Sequence, residues 1–148
     1  MRIKSNKSRR KDQRGSALLE FAICAVMLLL ITCGVTDFSR LFFFADMATG
    51  AAAAGTQYGT LSPAHWSDFA GMQTAALNDT GNLSTATATA VQKCYCTIGG
   101  DPVSCPADCT TAETYVQVKV TIAYTPIFTY PLLPNVTSLS SVSTVRVQ

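Results

Sequence analysis

Charged residues are scarce in this chain of 148 residues, at 14% against roughly 25% in an average soluble domain. Histidine occurs once, as His65, so chemistry that needs paired imidazoles has almost no residues to use. The chain also lacks a phosphate-binding glycine loop, an H-E-x-x-H helix, a G-x-S-x-G elbow and a carboxylate dyad. We therefore expect neither an enzyme nor a cofactor, and the low charge suits a chain that lies partly in lipid.

Positive charge is concentrated at the N-terminus. Seven of the 11 Lys and Arg residues precede position 16, where Asp12 alone opposes them, and the remainder of the chain carries a net charge of −4. A basic tail can indicate nucleic-acid binding. Next to an apolar run, however, it is typical of a cytoplasmic flank that sets the positive-inside orientation. We expect residues 1–15 to be a cytoplasmic leader and expect no nucleic-acid partner.

Residues 16–36 form a long apolar run with Glu20 as their only charge. About 20 such residues cross a bilayer as a helix, so this segment predicts a transmembrane span. Residues 37–59 contain no proline, and one helix is predicted from about Ser16 to about Tyr58. At about 1.5 Å per residue it is longer than a bilayer core, so residues 37–59 should continue outside the membrane.

Alanine and glycine dominate the stretch 48–59 at spacings that let backbones approach closely. The stretch can pack on the chain's own domain or against neighbouring subunits, and the sequence leaves both possibilities open.

The remainder, residues 60–148, predicts an extracytoplasmic α+β domain. Ser62 as N-cap and Pro63 at the first helical position predict a second, short helix over 64–79. Alternating patterns predict strands over 84–96, 115–124 and 137–148, and the apolar face of the middle strand needs a cover. The expected fold is a long N-terminal helix and a short second helix packed on a small antiparallel sheet of three to four strands. Five side chains form that face: Val116, Val118, Val120, Ile122 and Tyr124.

Four cysteines flank a turn signal at 98–102, two before it and two after it. In a small domain beyond a membrane segment, such a cluster predicts two disulfides on the oxidising side. Of the three possible connectivities, a nested pair, 94–109 with 96–105, suits a hairpin best. Zinc is the alternative, although its usual C-x2-C knuckles are absent. The four residues are Cys94, Cys96, Cys105 and Cys109.

The other two cysteines, Cys24 and Cys33, lie in the apolar run and are interpreted as small apolar helix residues. Acylation of Cys33, as in a lipoprotein, is an alternative that Thr32 disfavours, because a smaller residue usually precedes an acylated cysteine.

The junction between the leader and the apolar run has the form G-xxxx-E-F, with Gly15, Ser16, Glu20 and Phe21. Gly15 has no side chain, so a protease cleft can bind the backbone closely there. A carboxylate in lipid costs about 2.5–3.5 kcal/mol at a helix centre and less near the edge, so Glu20 should have a partner.

Further along, Asp37 and Arg40 are three residues apart and can share a helix face at the outer edge of the span. They are either a solvated interfacial pair or a contact between subunits at a helix interface.

The chain resembles the TadE-like pseudopilins of tight-adherence (Tad/Flp) pilus systems, which are related to type IV pilins. The resemblance rests on residues 15–21, the Asp-Phe-x-Arg step at 37–40, the small-residue stretch near 48–59, and the Cys-rich hairpin with its Thr/Val strand. One departure is Gly59, where relatives often carry arginine.

This resemblance implies cleavage between Gly15 and Ser16 by a prepilin peptidase. It also implies a single pass through the lipid bilayer of the bacterial inner membrane, with the N-terminus in the cytoplasm. The expected partners are other pilin or pseudopilin subunits and the inner-membrane pilus assembly platform. The expected function is that of a minor subunit, in the membrane or in the extracellular pilus, that supports pilus biogenesis and adhesion. The alternative is a membrane-anchored or lipid-anchored exported binding module outside any pilus.

Cleavage would expose the α-amine of Ser16, which is mostly protonated at pH 7. Glu20 can pair with that amine in a neighbouring subunit and so fix the stagger between helices. Alternatively, Glu20 sits at the headgroup level and favours the helix N-terminus.

Overall fold

The computed structural model describes residues 9–96, 100–105, 109, 112–128 and 136–148, with side chains from Gly15 onward. It confirms the predicted α+β class: a long helix, a short helix and a three-stranded antiparallel sheet. The elements are α1 (Arg9–Thr60), a single 3-10 turn (Pro63–His65), α2 (Phe69–Asp79), β1 (Ala86–Tyr95), β2 (Glu113–Ala123) and β3 (Ser138–Arg146). Helix α1 begins at Arg9 rather than Ser16, and residues 1–8 of the predicted leader lie outside the described residues.

The chain divides into two compact units, the first ending at Ser39 and the second beginning at Arg40. In the first unit, the large apolar side chains from Leu18 to Ile31 are 56–72% exposed. Within the described residues, one helix is long and apolar enough to cross a membrane, with a mean hydropathy of 2.5 over its most apolar window. This helix is compatible with the predicted single-pass anchor.

The core of the second unit lies on one face of its sheet, where β2 is the central strand between β1 and β3. The predicted apolar face of β2 is confirmed. Its valines at 116, 118 and 120 and Ile122 are fully buried, and Tyr124, just after the strand, is 4% exposed. Residues between them point to the other face, since strand side chains alternate.

The small residues of α1 cover this face. Ala48, Ala51 and Ala52 are buried, and a Cβ added at Gly55 would lie 2.9 Å from Val118 Cγ1. The hydroxyls of Thr56 and Ser143 are 2.9 Å apart, which ties α1 to β3. The Ala/Gly stretch therefore packs on the chain's own domain, the first of the two alternatives, because only residues this small let α1 lie so close to the sheet.

Helix α2 starts later than the sequence predicts. Ser62 makes no capping bond: its hydroxyl lies 2.6 Å from Nδ1 of His65, and the chain after Pro63 forms only one 3-10 turn. The actual N-cap is Asp68, whose Oδ1 accepts a hydrogen bond from the Gly71 backbone N–H at 2.9 Å. The capping carboxylate thus fixes the start of α2 at Phe69.

Candidate functional site

The N-terminal half of α1 places the predicted cleavage residues on an exposed surface. Gly15, Ser16, Glu20 and Phe21 are all exposed. A Cβ added at Gly15 would meet no atom of the described residues within 4 Å. Glycine within a helix costs roughly 0.5–1 kcal/mol relative to alanine, so the packing of the chain offers no reason for glycine at this position.

Glu20 is the one charged residue between positions 16 and 36. It lies between Leu19 and Phe21, which are 65% and 72% exposed. Across the described part of the chain, no hydrogen bond or ion pair engages its carboxylate. The hydroxyls of Thr32 and Thr36, by contrast, each donate to a helix carbonyl four residues earlier, at 2.8 Å. The threonines are satisfied within α1, whereas the Glu20 carboxylate has no partner among the described residues.

Arg40 and Asp37 are placed differently from a solvated surface pair. Asp37 is 5% exposed. The Arg40 guanidinium lies 5.9 Å from the ring centroid of Tyr124, a cation–π distance. The ring of Phe44 meets the same tyrosine edge-on at 6.0 Å. Arg40 therefore covers an aromatic residue of its own unit, and a subunit contact for Asp37 and Arg40 remains a prediction.

All four downstream cysteines are paired, as predicted, but the nested arrangement is wrong. Cys94 bonds Cys105 and Cys96 bonds Cys109, with Cα–Cα distances of 5.5 and 5.7 Å. Since the four sulfurs are bonded to one another, they are not available as zinc thiolates.

The strand register explains why the nested pairing fails. In the β1–β2 ladder, Cys94 lies opposite Thr114, so the position across the hairpin is not a cysteine. After Cys96 the chain instead returns along the other edge of β1, where the Val103 N–H donates to the Cys94 carbonyl at 2.8 Å. This bridge brings Cys105 close to Cys94. Sequence spacing contains no signal for that return.

A hydrogen bond between side chains links α1 to the N-cap residue of α2. The Tyr58 hydroxyl donates to Asp68 Oδ2 at 2.7 Å, and the same carboxylate caps α2 through Gly71. The hydrogen bond from Tyr58 and then the backbone bond from Gly71 lower the pKa of Asp68 below its ordinary value. Desolvation opposes them, and the charge of His65 adds a smaller lowering effect.

A polar and aromatic cluster on the uncovered face of the sheet was not predicted from the sequence. Arg146 Nη1 lies 3.0 Å from Glu113 Oε1, and the Tyr115 hydroxyl donates to Glu113 Oε2 at 2.8 Å. That hydrogen bond, with desolvation and the charge of Glu113, raises the pKa of Tyr115. The rings of Tyr95 and Tyr115 meet edge-to-face at 5.4 Å. Strand alternation places each residue on this face, but only the register brings them together.

Comparison with known proteins agrees with the N-terminal features. The family model described as TadE-like protein matches residues 15–57, a range that begins at Gly15 and ends near the end of α1. The predicted TadE-like resemblance is confirmed for this segment, and it indicates involvement with Tad pilus systems. No curated protein and no solved structure matches the chain.

Proposed function

We propose that this chain, TadE-like over residues 15–57, is a minor pilin-like (pseudopilin) subunit of a Tad-type pilus. A prepilin peptidase removes residues 1–15, and the mature chain assembles with other pilin or pseudopilin subunits and the inner-membrane platform through its N-terminal helix. The observation that carries the proposal is Glu20, an exposed carboxylate without a partner in the described chain, on an exposed apolar helix.

Cleavage after Gly15 would give Glu20 its partner. The new α-amine of Ser16 is mostly protonated at neutral pH, and in low dielectric a close pair of opposite charges attracts strongly. Within one helix the two groups are four residues apart and can form a local pair. In an assembly, the Ser16 amine of one subunit reaches Glu20 of the next. The second pairing fixes the axial stagger between neighbouring helices, which supports a role in assembly.

The packing of α1 also limits which surface can assemble. The buried side of the Ala/Gly stretch is already covered by its own unit, although Gly50 on its other side is exposed. The surface left for lipid or for other subunits includes the exposed apolar side chains from Leu18 to Phe38, and also Phe42 and Phe43, which are 59% and 62% exposed. Assembly through the apolar half of α1 is consistent with that division.

The expected topology supports the same role. A basic leader on the cytoplasmic side sets the orientation of the span. The second unit, with disulfides 94–105 and 96–109, then lies on the oxidising side, where such bonds persist. A subunit oriented in this way presents its sheet domain outside the inner membrane, from which it can enter a pilus and support adhesion.

The test replaces Glu20 by glutamine in cells that contain the complete Tad machinery. Glu20→Gln keeps the shape and removes the charge, so insertion and cleavage should persist while recovery in sheared pili, or in the isolated assembly complex, falls at least about tenfold. The matched control is Asp46→Asn, which removes an exposed carboxylate of the same helix beyond the span. Normal recovery of Glu20→Gln, measured by quantitative immunoblotting, would refute pairing and favour an anchored binding module.

A further inference from the structure

The sheet face opposite α1 carries a cleft that the assembly role does not use. In the register, Tyr95 lies opposite Glu113 and Tyr115 lies opposite Arg146. These side chains share the face that alternates with the buried valines. A cleft of about 390 Å³ lies on this face, and its described lining residues are Tyr95, Gly100, Glu113, Tyr115 and Thr144. Arg146 is not one of them, but it is paired with Glu113 of the lining. This volume is within the range of roughly 300–1,000 Å³ that is typical of small-molecule sites.

The base of the cleft is bonded to its neighbours. Glu113 is held through both carboxylate oxygens, Oε1 by Arg146 and Oε2 by Tyr115. Its side chain is only 13% exposed. The Tyr115 ring is therefore anchored through its hydroxyl, and the Tyr95 ring packs against it edge-to-face.

Hydrogen-bonding capacity remains at the rim. The Arg146 side chain is 56% exposed, and its guanidinium donates one N–H to Glu113 and another to the Gln148 carbonyl. A guanidinium has five N–H donors, so donors are left for a ligand. The Thr144 hydroxyl accepts a bond from the Gln117 amide at 3.0 Å, and its own hydrogen stays free to donate. The cleft thus combines aromatic surface with hydrogen-bond donors from Thr144 in its lining and from Arg146, which lies opposite Tyr115.

We infer that this cleft binds a saccharide ring. The apolar C–H face of a sugar can stack on one of the two tyrosine rings, which stand at 90° to each other, and its hydroxyls suit the donors of Arg146 and Thr144. The Glu113–Arg146 pair cancels its own charge, so a simple anion or cation gains little. A purely apolar ligand would leave the polar rim desolvated and unpaired, which is unfavourable. An uncharged ring with one apolar face and many hydroxyls matches both the aromatic surface and the polar rim of the cleft.

The site is suited to binding rather than hydrolysis. Glycosidases usually flank the bond with two carboxyl groups, and Glu113 is the one carboxylate among the described lining residues. It is already held by Arg146 and Tyr115. The assignment depends neither on cleavage after Gly15 nor on assembly.

Saturation-transfer NMR on the full-length protein tests the inference. The protein is kept in a zwitterionic detergent without a sugar headgroup, and the probes are the methyl glycosides of glucose, galactose, mannose and N-acetylglucosamine. At least one should receive saturation on its ring C–H protons, with a dissociation constant of about 1–10 mM for a ligand of this size. No transfer to any of the four at about 10 mM would overturn the inference.

Substitutions test whether the glycoside binds in the cleft or elsewhere on the same face of the sheet. Tyr95→Ala should weaken binding of the positive glycoside at least about tenfold, and Thr144→Trp, on an exposed position of β3, should block the cleft without removing any core side chain. Lys119→Gln is the control, because Lys119 is exposed on the same face, beside Thr89 and Val142 and outside the cleft. Each variant is checked for native circular dichroism. Unchanged binding in folded Thr144→Trp, or an equal loss in Lys119→Gln, would contradict the assignment.

Discussion

At the scale of single residues, the glycines of α1 have two different roles. Nothing in the described chain approaches the space beside Gly15 or Gly34, whereas Gly55 and Gly59 touch the sheet and α2. A Cβ at Gly55 would lie 2.9 Å from the Met72 backbone oxygen, and one at Gly59 would lie 2.9 Å from Met72 Cε. A backbone atom yields less readily than the end of a flexible side chain. Gly55 is therefore the position where α1 depends most on having no side chain.

Gly55→Ala should destabilise the second unit by about 1–3 kcal/mol, the usual effect of overpacking. The control is Gly50→Ala, where the nearest atom to the new Cβ is the Asp79 carboxylate at 3.3 Å. That side chain can move, and alanine favours the helix by up to about 1 kcal/mol, so the control should be neutral or stabilising. Thermal unfolding, followed through the fluorescence of Trp66, compares the two variants. A Gly55→Ala protein as stable as Gly50→Ala would show that the close approach is not required.

Protonation of Asp68 should make the stability of the second unit depend on pH. The pKa of Asp68 is lowered, first by the Tyr58 hydrogen bond and then by the Gly71 N–H. A carboxyl whose pKa is depressed on folding stabilises the fold above its unfolded pKa, near 3.9, and that contribution is lost as pH falls further, toward the folded pKa. Asp68→Asn keeps a capping oxygen but does not titrate.

We therefore expect the unfolding temperature of the natural chain to fall more steeply between pH 5 and pH 3 than that of Asp68→Asn. Asp46→Asn, at an exposed position of α1, should keep the natural slope. Equal slopes in all three proteins would contradict the role given to Asp68.

At the scale of elements, local sequence pattern predicts α1 and β2 but not the contacts that depend on the assembled fold. The long apolar run and the absence of proline predict α1, and strict alternation predicts the buried face of β2, which the structure confirms. The start of α2 was predicted wrongly, because Ser62 and Asp68 are both good N-caps and only the contact with Tyr58 favours the second. The disulfide pairing also failed, since it depends on the bridge between Cys94 and Val103. The cleft depends on strand register in the same way.

The disulfides should contribute unequally. Cys94 is 2% exposed and joins the end of β1 to the returning chain, whereas Cys96 lies just beyond the strand. Removing the first bridge with Cys94→Ala and Cys105→Ala should cost about 2–4 kcal/mol and lead to degradation in cells. The matched pair Cys96→Ala and Cys109→Ala should cost less. Non-reducing peptide mapping checks the connectivity first, and a 94–109 peptide would show that the described pairing is wrong.

At the scale of the whole molecule, one helix serves two purposes. The N-terminal half of α1 exposes large apolar side chains. The C-terminal half carries small residues, which let the helix pack closely on the sheet. The TadE-like match spans both halves. In the proposed function, the first half joins the membrane and the assembly while the second carries the disulfide-bonded unit, so that a cut at Gly15 changes the subunit's partners without altering its fold.

The N-terminus of the mature chain is the decisive observable for the proposed role. The full-length protein is produced with its cognate prepilin peptidase, with and without an inactivating change in the peptidase, and its intact mass is measured. We expect loss of residues 1–15 in the presence of the active enzyme, a new N-terminus at Ser16, and no cleavage of Gly15→Leu, while Gly34→Leu, equally open in the structure, is cut normally. A chain that still begins at Met1, or one that begins at an acylated Cys33, would contradict the proposed role.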